Sequence, residues 1–142
     1  MEIITKTEQE TIQAAQNLAS KIQPGDIITL QGNLGAGKTV FARALIQTLM
    51  KDTALEVPSP TFTLVQTYDT EKNTIWHFDL YRLKDSEEIY ELGWEEAISE
   101  GITVIEWPER LGNLYPPQYL DIRLTNIDNN PEHRKIEITR VE

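Results

Sequence analysis

The stretch that most constrains this chain is Gly32 to Thr39, GNLGAGKT. It matches G-x-x-x-x-G-K-[ST], a loop whose backbone N–H groups cradle phosphates. The residues either side supply the context that the pattern needs. DIITLQ, from Asp26, is a short apolar run that reads as a buried strand. VFARALIQTLM then places Phe41, Ala44, Leu45, Thr48 and Leu49 on one helical face. Strand, glycine-rich turn and helix in this order commit the chain to an α/β architecture. Glycines at 32, 35 and 37 allow positive φ, so successive N–H groups can point into one concavity. A helix starting near Lys38 adds the positive end of its dipole. Asn33, Leu34, Gly35, Ala36, Gly37, Lys38 and Thr39 are therefore candidate nucleotide-binding residues. Lys38 would reach the β- and γ-phosphates and is a catalytic candidate, and the Thr39 hydroxyl would ligate Mg²⁺.

The rest of the chain fills in the layers. Thr7 and Glu10 stand at capping-box spacing, and Ile12, Ala15, Leu18, Ala19 and Ile22 recur at helical intervals until QPGD. TFTLVQTY and TIWHFDLY flank the polar turn DTEKN and predict an antiparallel hairpin. DSEEIYELGWEEAISE reads as helical, with Ser86 as N-cap and Gly93 as a break or joint. GITVIEW is another buried-strand run. YPPQYLDIRLT and RKIEITRV alternate like half-exposed strands around the turn-rich NIDNNPEH. The expectation is one domain over residues 1–142 with three α/β layers, P-loop NTPase-like. Its central sheet would be mixed, with an antiparallel hairpin after the P-loop helix.

Composition narrows the chemistry. The absence of cysteine excludes disulfides, thiolate metal sites and a cysteine nucleophile. The N-terminus has no signal-peptide apolar region, and no run approaches the roughly 20 apolar residues of a membrane span. A cytoplasmic location follows as the expectation. Lys and Arg number 13 against 23 Asp and Glu, a net charge of −10. Such a chain repels phosphate backbones, which argues against direct nucleic-acid binding. The acidity reads either as solubility or as a face for a basic protein partner.

A magnesium–nucleotide site also needs a carboxylate at the end of an apolar strand. Glu106 ends ITVIE and Asp79 ends IWHFD. Glu106 follows the more continuous apolar run and is the expected metal-side residue. Asp79 reads either as the residue that positions or deprotonates an attacking water, or as a strand-end acid paired with Arg82. The guanine-reading N-K-x-D segment and the D-x-x-G switch are both missing, so ATP is the expected nucleotide. A small-molecule kinase would bring an arginine-rich lid, and the arginines at 43, 82, 110, 123, 134 and 140 form no cluster. His77, between bulky apolar neighbours, reads as packed rather than catalytic. Trp76 and Trp94 read as core or interface anchors. In VPSPTFTL, Pro58 and Pro60 keep helix out. The stretch is then a stiff entry to the hairpin, or a loop whose Ser59 and Thr61 hydroxyls meet a ligand.

GNLGAGKT, VPSPTFTLVQTY, HFDLYRL, ELGWEEAI and VIEWPER occur in this order over nearly the whole chain. Together they resemble the bacterial ATPase subunit family of tRNA threonylcarbamoyladenosine synthesis (TsaE, formerly YjeE). Asn33 stands where that family usually has Asp. The resemblance implies a small P-loop fold that binds ATP and Mg²⁺ and hydrolyses ATP slowly. It implies two protein partners, the threonylcarbamoyl transferase subunit and that subunit's inactive-paralogue companion. Their joint product would be a modified adenosine beside the anticodon of tRNAs reading A-starting codons. By matched position, Thr39 and Glu106 would ligate Mg²⁺, Lys38 would hold phosphates, and Asp79 would stand near the γ-phosphate. Trp107 would lie beside the metal carboxylate, and Ser59 and Thr61 would belong to a switch-like segment. Glu8 and Glu132 would contact the nucleotide. The rivals are a stand-alone P-loop kinase for a small metabolite and a nucleotide-sensing adaptor without turnover.

Overall fold

The computed structural model describes residues 1–33, 35–127 and 129–142. Strand β1 (Glu2–Thr5) precedes helix α1 (Glu8–Ala19). The helix starts where Thr7 turns extended and its hydroxyl accepts the Glu10 N–H at 3.1 Å. Glu10 in turn accepts the Lys6 N–H at 2.8 Å, so the box closes one residue earlier than its usual partner. After β2 (Ile27–Gln31) the glycine-rich loop leads into α2 (Lys38–Met50). Strands β3 (Val65–Asp69) and β4 (Thr74–Asp79) form the hairpin, and α3 (Trp94–Glu100) leads to β5 (Ile102–Glu106). Strands β6 (Tyr119–Asn126) and β7 (Arg134–Val141) follow. Short 3-10 segments occupy Ser86–Leu92 and Pro108–Leu114.

The strands make one sheet in the order β1-β7-β6-β2-β5-β4-β3. The inner strands β6, β2, β5 and β4 run parallel, while β3, β7 and β1 run antiparallel to their neighbours. This is the expected mixed sheet. Strand periodicity sends alternate residues to opposite faces. One face buries Ile28, Leu30, Ile75, Val104 and Ile122 against Ala15 and Leu18 of α1 and Phe41 and Leu45 of α2. The other buries Ile27, Phe78 and Ile105 against Ile89, Trp94, Ala97 and Leu111. Each fully buried Val, Leu, Ile or Phe among these contributes about 1.5–3 kcal/mol of hydrophobic free energy. The layers are thus α1 and α2, the sheet, then α3 with the 3-10 segments. No helix among the described residues is long and apolar enough to cross a membrane.

Two local expectations are corrected, and one strand is added. The cap of the Ser86–Leu92 segment is Asp85, not Ser86. Asp85 accepts the Glu87 N–H, and Glu88, three residues on, accepts the Asp85 N–H at 2.8 Å. The hairpin strand starts at Val65 rather than Thr61, because 61–64 is a turn ending at Leu64 with φ 70°. Strand β1 had no sequence signal of its own. Its four residues take their partners from β7, with Glu2 opposite Glu137.

Candidate functional site

The carboxyl ends of β2, β4 and β5 converge beside the start of α2. Ligands of open α/β sheets bind at this edge. The loop between β2 and α2 needs its glycines for different reasons. A Cβ on Gly32 would stand 2.6 Å from the Leu124 carbonyl oxygen of β6. Gly37 caps α2 with φ 99°, a left-handed conformation that other residues adopt at a cost. Arg134 of β7 fixes the loop from the far side, donating to the carbonyls of Ala36 at 2.6 Å and Gly35 at 3.2 Å.

Lys38 is buried at the first turn of α2. Its ammonium donates to the carbonyls of Gly32 and Asn33 and stands 3.6 Å from the centre of the Trp107 ring. Burial pulls its pKa below the ordinary lysine value, against the opposing pull of the Glu106, Glu109 and Asp79 carboxylates. Trp107 presents its ring from a left-handed backbone, φ 59°, directly after β5, and the ring also packs on Tyr81, with centres 4.9 Å apart.

Asp79 and Glu106 face each other in the β4–β5 register, and both are buried. Their partners differ. Glu106 Oε1 accepts the Thr39 hydroxyl at 3.2 Å, while Oε2 lies 2.7 Å from His77 Nε2. Asp79 Oδ2 accepts the hydroxyls of Ser59 at 2.9 Å and Thr61 at 3.4 Å, and Oδ1 accepts the Tyr81 N–H at 3.1 Å. The alternative pairing of Asp79 with Arg82 is not the arrangement here. Arg82 lies over the exposed Phe62 ring at 4.5 Å.

These groups line one cleft of about 390 Å³, which takes in Asn33, Gly35, Gly37, Lys38, Thr39, Ser59, Thr61, Asp79, Glu106 and Trp107. Val40, Tyr81 and Arg134 complete it. Of the hydroxyls of VPSPTFTL, those of Ser59 and Thr61 line this cleft, the placement that the ligand-facing reading requires. Glu8 and Glu132 lie outside this cleft. They come together in a smaller one beside it, which shares Gly37, Val40 and Arg134 with the first. Ala36 is buried and borders a different neighbouring cleft, with Asn33 and Trp107. Leu34 lies outside the described residues.

The donor set suits a divalent cation that shares its shell with phosphates. Among the described residues no three His, Cys, Asp or Glu gather into an all-protein metal cage. Mg²⁺ asks for less, usually one or two carboxylates besides phosphates and water. Adjacent ligands of an octahedron with bonds near ~2.1 Å stand about 3 Å apart. Thr39 Oγ1 and Glu106 Oε1, at 3.2 Å, fit that spacing.

Sequence reasoning missed two contributors. Arg134 is remote in sequence, and no local pattern ties it to the loop. His77 did carry a signal. Its apolar neighbours Trp76 and Phe78 belong to the opposite face of β4, and the period of two puts His77 beside Asp79. It is packed, as expected, yet it is also bonded to the candidate metal carboxylate.

Comparison with known proteins places the chain among its relatives. The model of the family described as "Threonylcarbamoyl adenosine biosynthesis protein TsaE" matches residues 5–136. The tRNA threonylcarbamoyladenosine biosynthesis protein TsaE of Rickettsia felis is 45% identical over 128 residues, 90% of this chain and 74% of that one. Its Aquifex aeolicus counterpart is 37% identical over 139 residues, 98% of this chain and 96% of that one. A crystal structure of Bacillus subtilis YdiB superposes with a TM-score of 0.77 at 26% identity, covering 100% of this chain and 86% of that one.

Proposed function

The chain belongs to the TsaE family of threonylcarbamoyl adenosine biosynthesis proteins, and on that premise we propose that it is the ATP-binding and ATP-hydrolysing subunit of the pathway. It acts in the cytoplasm with a threonylcarbamoyl transferase subunit and that subunit's inactive-paralogue companion. Their joint product is the modified adenosine beside the anticodon in tRNAs reading A-starting codons. The net charge of −10 suits a subunit that meets tRNA only through its partners.

The observation that carries the ATPase reading is the convergence of Lys38, Thr39, Asp79 and Glu106 on one cleft at a glycine-rich loop. The loop N–H groups and the start of α2 receive the phosphates. Lys38 exchanges the Gly32 and Asn33 carbonyls for phosphate oxygens. Thr39 and Glu106 would hold Mg²⁺, and the ion would supply positive charge beside the phosphates. Asp79 orients the attacking water once Ser59 and Thr61 give up its carboxylate. The same exchange moves the 58–64 segment, which gives partners a surface that differs between nucleotide states. Glu8 and Glu132 border the adjoining cleft, where they contact the rest of the nucleotide.

Phosphate release from ATP, measured with and without the transferase pair, tests the reading. Stimulation by the pair is expected. Transfer of the γ-phosphate to a small acceptor would instead identify a kinase. Tight binding with no turnover under either condition would identify an adaptor.

A further inference from the structure

The two oxygens of Glu106 are held differently. Oε1 meets the Thr39 hydroxyl at 3.2 Å, on the cleft side, while Oε2 meets His77 Nε2 at 2.7 Å. The strand register sets His77 opposite Val104 and Asp79 opposite Glu106. The imidazole therefore reaches past its own partner toward the carboxyl end of β5 to meet Glu106. An ionised carboxylate only accepts, so it is the Nε2–H tautomer of His77 that suits this bond. The ring is fully buried, and its Nδ1 has no hydrogen-bond partner among the described residues. Among the described residues its ring thus bonds to Glu106 alone. An apolar side chain would fill the same space without stranding a nitrogen, so packing alone does not account for an imidazole here.

We propose that His77 is a positioning residue for Glu106: it holds Oε2 so that Oε1 and the Thr39 hydroxyl face a single divalent cation. This rests on the magnesium–nucleotide reading of the cleft. Mg²⁺ tolerates little departure from octahedral geometry, so a carboxylate that could rotate would bind it less well. Hydrogen-bond partners of metal ligands typically contribute about 10- to 100-fold in metal affinity or activity.

The test is a calorimetric titration of ATP into wild type, His77→Gln and His77→Asn, each in EDTA and in MgCl₂. Glutamine can place an amide N–H near the position of Nε2, and asparagine is one methylene too short. His77→Asn is expected to lose about 10- to 100-fold of the Mg²⁺ enhancement while its affinity in EDTA is unchanged. His77→Gln is expected to keep most of the enhancement. Full enhancement in His77→Asn overturns the proposal, as does an equal loss in both amides. A loss that is the same with and without Mg²⁺ assigns His77 to packing and also overturns it. Wild type whose ATP affinity ignores Mg²⁺ overturns the metal reading itself, and that failure is visible before any variant is compared.

Discussion

At the amino ends of the parallel strands, glycine makes room for a side chain. Past the carboxyl end of β2, Gly32 lets the loop pass close to β6, and Gly35 and Gly37 give it left-handed turns. A Cβ on Gly101, just before β5, would stand 2.6 Å from the Trp76 ring and 2.7 Å from the Thr74 carbonyl oxygen. A Cβ on Gly93 would stand 2.7 Å from the same indole. A Cβ on Gly35, across the sheet, would meet nothing within 4 Å, yet its φ of 80° favours glycine. Among the described residues, the buried charged and imidazole side chains are divided as unequally, whereas buried threonines are spread through the fold. Lys38, His77, Asp79 and Glu106 are buried at the carboxyl edge. At the amino end the indole fills the space between Gly93 and Gly101. Charges crowded out of water cost folding free energy, and their concentration at one edge marks where binding or chemistry offsets it.

If this division holds, substitutions at one edge change function and substitutions at the other change stability. The largest effect is expected from Asp79→Ala. A group acting in the transition state contributes about 10²–10⁴-fold to rate, so partner-stimulated phosphate release should fall by that order. ATP affinity, measured in parallel, should persist. Lys38→Ala comes next and should weaken ATP binding by about 1.5–3 kcal/mol, as for a hydrogen bond to a charged group. Calorimetry reads this, and unchanged affinity would remove Lys38 from the phosphate site. Gly101→Ala should lower unfolding free energy by about 1–3 kcal/mol through overpacking. Urea melts measure the loss, and ATP affinity should not move with it. A Gly101→Ala protein of normal stability and poor ATP affinity would break the comparison.

The smallest effect concerns alkaline pH. Tyr115 packs on Tyr119, the first residue of β6, with ring centres 5.2 Å apart. Burial, helped by Tyr119, Glu109 and Asp121, pushes the Tyr115 hydroxyl up to about 12. Its ordinary value is about 10. A raised folded pKa gives stability that is whole below the unfolded value and is lost as pH rises through the folded one. Wild type should therefore lose stability between about pH 10 and about pH 12. Tyr115→Phe should lose less over that range, with a modest difference because the ring is only half-buried. Superimposable alkaline melts would show that Tyr115 has no share in the decline.

What could be read in advance follows the range of the forces involved. The phosphate loop is contiguous, so its pattern carries its own context. The hairpin and β5 were legible because apolar runs and turn residues are local. The start of β3 was not, since Leu64 takes its left-handed backbone from a turn in which its N–H donates to the Pro60 carbonyl at 2.7 Å. The choice of Asp85 over Ser86 was within reach, because Glu88 completes a box only with Asp85. β1 and Arg134 depend on partners more than ninety residues away, and no window along the chain contains both sides of those contacts. His77 lay between. Its neighbours in sequence suggested packing, while its neighbours across the strand lead to Glu106.

The central claim is that the carboxyl edge of the sheet is a magnesium–ATP site, and a crystal structure with Mg²⁺ and a non-hydrolysable ATP analogue tests it most directly. Phosphates are expected inside the Gly32–Thr39 loop, with Thr39 and Glu106 at the metal and Lys38 moved from the Gly32 and Asn33 carbonyls onto phosphate oxygens. An analogue bound elsewhere, or a cleft with Lys38 still seated on those carbonyls, would contradict it.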